Sequence, residues 1–421
     1  MLAVLPNGKD SMEFEIDEKR ILGFISPVEV TPLSDPESEI DRSLRSPIDS
    51  RTLEGLSPRG KTIAIAVDDI TRVTPTRVLL SRILSALEDA GAAKDDIKII
   101  VALGTHRRMT DHELKQKYGP EVVEEYDLIN HTFDRESGLE YLGAVEGADL
   151  PIWINKDFVK AKIRIATGNI IPHFNAGWGA GAKTLLPGLA GEETVGKMHI
   201  YSAIKTPNAL GMVENPTRDI IESFASRVGL HLIVNTAINR SSKIVKAFTG
   251  HFVKAHRQGV AFAKGIYGVE ALGSADITIS SSYPADLEFW QGQKGLFSAD
   301  LVTKVGGGII IVTPCPEGVS ATHPRWLEYL QHDRKELMAI YNSGVVDDLV
   351  ALGLALNVAY VRQRHPICIV SNGVSNRDAE QMGFRKCASI EDAIRDMSKI
   401  FGFDSRINIL THGGETYPIP K

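Results

Sequence analysis

Cysteine is scarce in this chain. Cys315, Cys368 and Cys387 are the three present, far apart and with no C-x-x-C pair. That excludes a disulfide-stapled scaffold and a thiolate metal cluster, and it fits a reducing cytoplasm. Paired histidines are missing too. No H-x-H or H-E-x-x-H spacing occurs among the 12 histidines, so a metal here must take most of its ligands from outside the chain. No apolar run is long enough to span a bilayer. The acidic start, MLAVLPNGKDSMEFEIDEKR, lacks the apolar stretch of a signal peptide. Basic excess is absent as well. The 47 Lys and Arg stand against 53 Asp and Glu, for a net charge of -6. General nucleic-acid or anionic-membrane binding favours the opposite sign. These absences predict a soluble, cytoplasmic protein with no nucleic-acid or membrane partner.

What is present is an ordinary globular composition, 43% hydrophobic and 24% charged, over 421 residues. That length calls for two or three cores. Apolar runs at 61–67, 97–104, 163–171, 231–238, 275–282, 307–314, 367–373 and 406–413 read as strands. Helical patterns, such as 74–92, 110–119 and 252–268, fill most gaps. The alternation predicts an α/β fold of two domains with mainly parallel sheets flanked by helices and an active site in the interdomain cleft. The domains are expected at 1–268 and 269–405, and a return of 406–421 to the first is left open by the sequence.

Five clusters carry chemistry. In AVDDITRVTPTR, Asp68 and Asp69 end a strand and Arg72 follows; a helix cap and a site role are both open. In VALGTHRRMT, His106 follows the next strand, where a neutral-pH proton carrier would meet the first cluster. HFNAGWGAGAKTLLPG, residues 173–188, gathers four glycines around Lys183 behind His173. It misses the phosphate-loop pattern G-x-x-x-x-G-K-[ST], because Ala182 separates Gly181 from Lys183. A partly desolvated lysine amine is instead a good covalent anchor. GKMHIYSA supplies His199, and SSYPADLEFWQGQKGL supplies Trp290 with Gln291 and Lys294 on one helix face. Trp290 reads equally well as core. The residues alone point to an enzyme for a small anion, with two histidine bases and a special lysine.

These segments, in this order, resemble the nickel-pincer lactate racemase family of 2-hydroxyacid racemases and epimerases, from about residue 12 to the C-terminus. The resemblance rests on DDITR, GTHR, HFNAGWGAGAKTLLPG, MH and YPADLEFWQGQKG. It implies a nickel-pincer nucleotide, pyridinium-3,5-bisthiocarboxylic acid mononucleotide, covalently linked to Lys183, with His199 completing the coordination of nickel. It implies His106 and His173 as the acid/base pair for reversible hydride transfer at C2 of a small 2-hydroxy acid. Arg72, Gln291, Lys294 and Trp290 fall at substrate positions and Asp69 beside the cofactor. Separate cofactor-biosynthesis enzymes are the implied partners. Thr105 and Asn175 stand where lactate-using relatives carry aromatic residues, Trp290 replaces a tyrosine, and 347–354 lacks a tryptophan. Those departures imply a roomier or more polar pocket and a substrate other than lactate. A nucleotide-dependent kinase or ligase using the glycine-rich loop, and a non-catalytic carboxylate-binding homologue, are the alternatives.

Overall fold

The computed structural model describes residues 1–133 and 138–420. Its centre is the strand Ile63–Asp68, whose first five residues, IAIAV, are all buried. An unbroken apolar run of this kind belongs to a strand covered on both faces. It pairs in parallel with Ile97–Ala102 on one side and Ile163–Asn169 on the other. Asp127–Asn130 extends the first side and Leu232–Ile238 the second, with Ile244–Gly250 as an antiparallel edge, giving six strands. The helix Thr76–Asp89 returns across this sheet on a buried stripe of Leu79, Leu80, Ile83, Leu84 and Leu87. The next helix, Asp111–Tyr118, starts at a complete capping box formed by Thr110 and Glu113.

A second six-stranded sheet is parallel throughout and centred on Thr303–Val312 and Ala275–Ser281. Ile367–Val370 and Arg385–Lys386 continue it beyond Thr303–Val312. Ile407–Leu410 and Ile21–Ile25 continue it beyond Ala275–Ser281. In each sheet the strand order reverses at one strand, Ile63–Asp68 in the first and Ala275–Ser281 in the second. The carboxyl end of such a strand is where α/β folds leave a crevice.

The eight expected strands and three expected helices are all present within a few residues of their predicted limits. The two chain ends pair as follows. Residues 407–410 pair inside the second sheet and do not return to the first, while 21–25, expected in the first unit, form the outer strand beside them. Tyr417–Ile419 pairs with Gly268–Glu270 in a separate two-stranded piece. Short parallel strands hundreds of residues apart have no local signal for their partners, so periodicity finds the strands and misses the pairing. The N-terminal hairpin, Leu2–Asn7 with Asp10–Glu15, also packs Leu5 and Phe14 into the core of the second sheet.

One apolar cluster runs through both units, and Phe174 stacks on Phe297 at 4.0 Å across it. The helix Glu192–Lys205, which carries His199, packs against Leu349–Arg362. Glycine makes that approach close: a Cβ on Gly353 would lie 2.7 Å from His199 Cβ. Among the described residues no helix is long and apolar enough to cross a membrane, and all three cysteines are buried free thiols.

Candidate active site

The carboxyl ends of the three central strands of the first sheet open on one cleft. Asp69 follows the first strand and is buried. Its Oδ1 accepts from the Thr71 amide at 3.1 Å and the Thr71 hydroxyl at 2.6 Å. Its Oδ2 lies 2.6 Å from His106 Nδ1. Burial would raise this carboxyl, but the His106 imidazole, Arg72 and the Thr71 hydroxyl outweigh it and hold Asp69 far below the usual carboxylate range. Asp68 plays a local part. It accepts from the Thr74 and Thr76 hydroxyls and so fixes the turn into the following helix.

His106 Nδ1–H therefore donates to Asp69, and Nε2 is the bare nitrogen. It lies 3.0 Å from Gln291 Nε2 of the second unit. The Gln291 carboxamide is oriented by its oxygen, which accepts from Arg72 at 2.9 Å and from Lys294 at 2.7 Å. The amide nitrogen must then be the group facing His106, as a donor. Arg72 and Lys294 thus converge as donors on one neutral oxygen, an arrangement that a carboxylate would satisfy better. Burial, then Arg72 and Lys183, depress the Lys294 ammonium well below its usual range.

His173 carries the opposite tautomer. Its Nδ1 accepts from the Asn175 amide at 3.2 Å, leaving Nε2 to bear the proton. Burial, then the charges of Lys183, Lys294 and Arg72, lower it well below the ordinary imidazole range. His199 Nδ1 is held 2.9 Å from the Asn175 carboxamide, whose other end meets the Ser202 hydroxyl at 3.2 Å. Burial first, with Lys183 next, pushes His199 down to about 3. The Asn175 amide nitrogen donates to Nδ1, so the neutral ring carries its proton on Nε2, and Nε2 would meet a metal only on losing that proton.

Lys183 lies in a single 3-10 turn, Gly181–Thr184, entered through Ala180 at φ +59°. A non-glycine residue there stores strain, as functional turns often do. Burial, followed by Arg72 and Arg218, drives the Lys183 ammonium well below its usual range, so its amine is available as a nucleophile. The neighbouring glycines answer mainly to the protein itself. A Cβ on Gly181 would lie 2.8 Å from the His256 ring, and one on Gly188 2.2 Å from the Thr184 carbonyl. The buried Arg218 guanidinium donates to the Ala176 and Trp178 carbonyls and pins the same loop.

All nine residues picked out in the sequence meet here. Trp290, His199, His173, Lys183, Arg72, His106 and Lys294 line the cleft wall, Gln291 lines its inner extension, and Asp69 backs His106. Sequence reasoning missed Asn169 and the pair His323–Asp348. Asn169 ends its strand on the cleft wall, and neither polar atom of its carboxamide makes a well-formed hydrogen bond among the described residues. His323 stacks on Trp290 at 4.4 Å and hydrogen-bonds Asp348. Its only sequence signal, a histidine before a short helix, is indistinguishable from a cap.

Two cationic side chains, two histidines with opposite ring environments and a buried lysine amine thus share one cleft. Family models of the lactate racemase N-terminal and C-terminal domains match residues 7–211 and 270–415. The lactate racemase of Thermoanaerobacterium thermosaccharolyticum is 31% identical over 417 residues, 97% of each chain. That of Lactiplantibacillus plantarum is 33% identical over 331 residues, 76% of each. The solved lactate racemase apoprotein from T. thermosaccharolyticum matches with a TM-score of 0.89 and 30% identity over 100% of both chains. A Thermotoga maritima protein, 18% identical, shares the fold at a TM-score of 0.72 over 94% of this chain and 100% of its own. The chain belongs to the lactate racemase family.

Proposed function

We propose that the protein inverts the C2 centre of a small 2-hydroxy acid, using a nickel-pincer nucleotide tethered to Lys183. The observation that carries this reading is the pair of opposite tautomers on one cleft. His106 presents a bare Nε2 and His173 a protonated Nε2. Inversion at a carbinol carbon needs one group to take the hydroxyl proton and another to return a proton to oxygen.

The cleft suits the cofactor on three counts. Burial drives the Lys183 ammonium well below its usual range, and no ion pair holds it among the described residues. Asn169 lines the wall, and neither polar atom of its carboxamide makes a well-formed hydrogen bond among the described residues. An unsatisfied buried carboxamide asks for a polar ligand. His199 would offer Nε2 once it loses its proton, one protein ligand where a planar organic donor set supplies the others. Lys183 would hold the group covalently, His199 would hold its nickel, and Asn169 would meet its polar edge. When bound, such a group supplies a reversible hydride acceptor, which no protein side chain offers.

The chain's own residues do the rest. Arg72 and Lys294 bind the carboxylate in place of the Gln291 oxygen. The charge of the acid then restores the Lys294 ammonium that burial disfavours. His106 Nε2 receives the hydroxyl proton, and Asp69 stabilises the imidazolium that forms. His173 Nε2–H gives a proton to the same oxygen when the product forms. Trp290 and the crossing helices keep water from the exchange.

Production together with cofactor-biosynthesis enzymes tests the proposal. Intact mass should show an adduct mapped to Lys183, with about one nickel per chain, nickel being suited to planar ligand sets. Enantiopure 2-hydroxy acids should lose optical activity. Matured protein with an unmodified Lys183 and no nickel refutes the cofactor; an adduct without any inversion refutes the reaction.

A further inference from the structure

The residue before His106 has an acid–base relay of its own. Thr105 is buried in the cleft wall, 4% exposed, and its Oγ1 lies 2.9 Å from His323 Nε2. His323 Nδ1 lies 2.7 Å from Asp348 Oδ2. Asp348 is anchored in turn, because its Oδ1 accepts from the Ala351 amide at 2.9 Å and caps the helix Leu349–Arg362. The His323 ring lies flat against Trp290, at an interplanar angle of 11°. Asp348 has only acceptors to offer, so it takes Nδ1–H. With Nδ1–H so placed, Nε2 is the ring's remaining site, and where it accepts, the Thr105 hydroxyl donates to it. Donating inward leaves both Thr105 lone pairs for the cleft. The hydroxyl is an oriented acceptor that cannot rotate to become a donor without breaking the relay.

A wall has no need of this. Valine has the shape of threonine, and an apolar trio could fill the volume of Thr105, His323 and Asp348. Burying three polar side chains brings little net stability over apolar packing. Capping the helix accounts for Asp348 alone, since His323 takes no part in the cap. The relay also lies beside Glu192, and its cleft end is the Thr105 hydroxyl, which can recognise a hydrogen-bond donor.

The position says which donor. In the proposed pose the carboxylate lies at Arg72 and Lys294 and the 2-hydroxyl at His106 Nε2. Thr105 lines the same cleft as His106, Arg72 and Lys294, and its oxygen is assigned to the next substituent outward. We infer that Thr105, oriented by His323 and Asp348, is a specificity-determining residue that accepts a hydrogen bond from a hydroxyl on C3 of the substrate. The preferred acids are then 2,3-dihydroxy acids, and 2-hydroxy acids with an apolar C3 are poorer. This assignment rests on the racemase reading above.

Glycerate and lactate differ by that one hydroxyl and make a matched pair of probes. With matured enzyme, kcat/KM for glycerate should exceed that for lactate by roughly tenfold or more, the size of one oriented hydrogen bond. Thr105→Val should collapse the ratio to near one, and Thr105→Ser should keep it. His323→Phe, which retains the ring stacking, should lower the ratio because the hydroxyl is free to rotate. Binding of both acids to the same preparations, measured by calorimetry, gives a readout independent of turnover. A glycerate preference in binding that Thr105→Val removes supports the hydroxyl contact even if neither acid is inverted, an outcome that would count against the racemase reading alone. Inversion of both acids with no preference, or a preference untouched in folded Thr105→Val, overturns the role of Thr105 and leaves the racemase reading standing.

Discussion

Asp69 Oδ2 and His106 Nδ1 lie 2.6 Å apart, at the ends of two adjacent parallel strands. The carboxylate is buried and cannot be replaced by water, so it decides which ring nitrogen carries the proton. Gln291 reinforces the choice from the other unit by donating to Nε2. The base is thus set by two groups from two sheets before any ligand arrives.

Asp69→Asn tests that relationship. The amide can donate to Nδ1 and favour the wrong tautomer, and it cannot stabilise an imidazolium. Turnover of the matured enzyme should fall by about 10²- to 10⁴-fold, the usual worth of an acid–base group. The KM should change little, because Asp69 does not reach the cleft wall. The check is steady-state kinetics with chiral detection, beside a melting curve to show the fold intact. Turnover within about threefold of wild type, far short of that worth, would remove Asp69 from the machinery.

Arg72→Lys keeps a positive charge and discards the planar fork. If Arg72 and Lys294 share a substrate carboxylate, the loss should appear mainly in KM, raised roughly 10- to 100-fold as for a hydrogen bond to a charged group. The kcat should fall less. An equal loss in kcat with KM unchanged would place Arg72 at the reacting centre instead of the carboxylate.

The central strands, and the site residues that follow them, are legible in the sequence because chemistry sits within a few residues of a strand end. DDITR and GTHR follow apolar runs that leave no doubt about where the strands stop. His323 and Asp348 are opaque because they sit before helices, where Ser, Asp and His are common for reasons of capping. The glycine-rich segment is legible as a site and misleading as to cause. Its glycines look like room for a ligand, yet those at 177, 181 and 188 face the protein's own backbone and His256. The pairing of 21–25 with 407–410 has no sequence signal at all, since a parallel partner leaves no mark on a short apolar strand.

The crowding at Gly177 makes the point about glycine measurable. It has φ +73°, and a Cβ there would lie 1.8 Å from the Met212 carbonyl oxygen. Backbone against backbone cannot yield by a rotamer change. Gly177→Ala should destabilise by about 1–3 kcal/mol or more, the range for overpacking with a strained φ. Gly265, inside the helix Lys254–Tyr267, would carry a methyl group with nothing within 4 Å of it. Gly265→Ala should therefore stabilise by up to about 1 kcal/mol through helix propensity. Urea denaturation of both variants decides. Equal effects would mean that the crowding at Gly177 is relieved in solution.

Glu415 gives a pH dependence with a definite sign. It is 4% exposed, on the strand-end turn of the second sheet. Burial pushes its carboxyl up to about 8, against the opposing charge of Lys294. The unfolded chain releases the same proton at about 4.3. Between those values the folded state holds a proton that the unfolded state has lost, so stability falls as pH rises through the interval. The contribution of the protonated form is complete below the unfolded pKa and is gone once pH passes the folded one. Glu415→Gln keeps the shape and removes the titration. Melting temperatures of the unmatured wild type and Glu415→Gln should therefore be similar near the low end of that interval and separate toward its high end, with the variant the more stable. Parallel melting curves across that range would show that Glu415 is ionised in the folded protein, paired with Lys294, and the carboxylate clamp would then already hold an anion of its own.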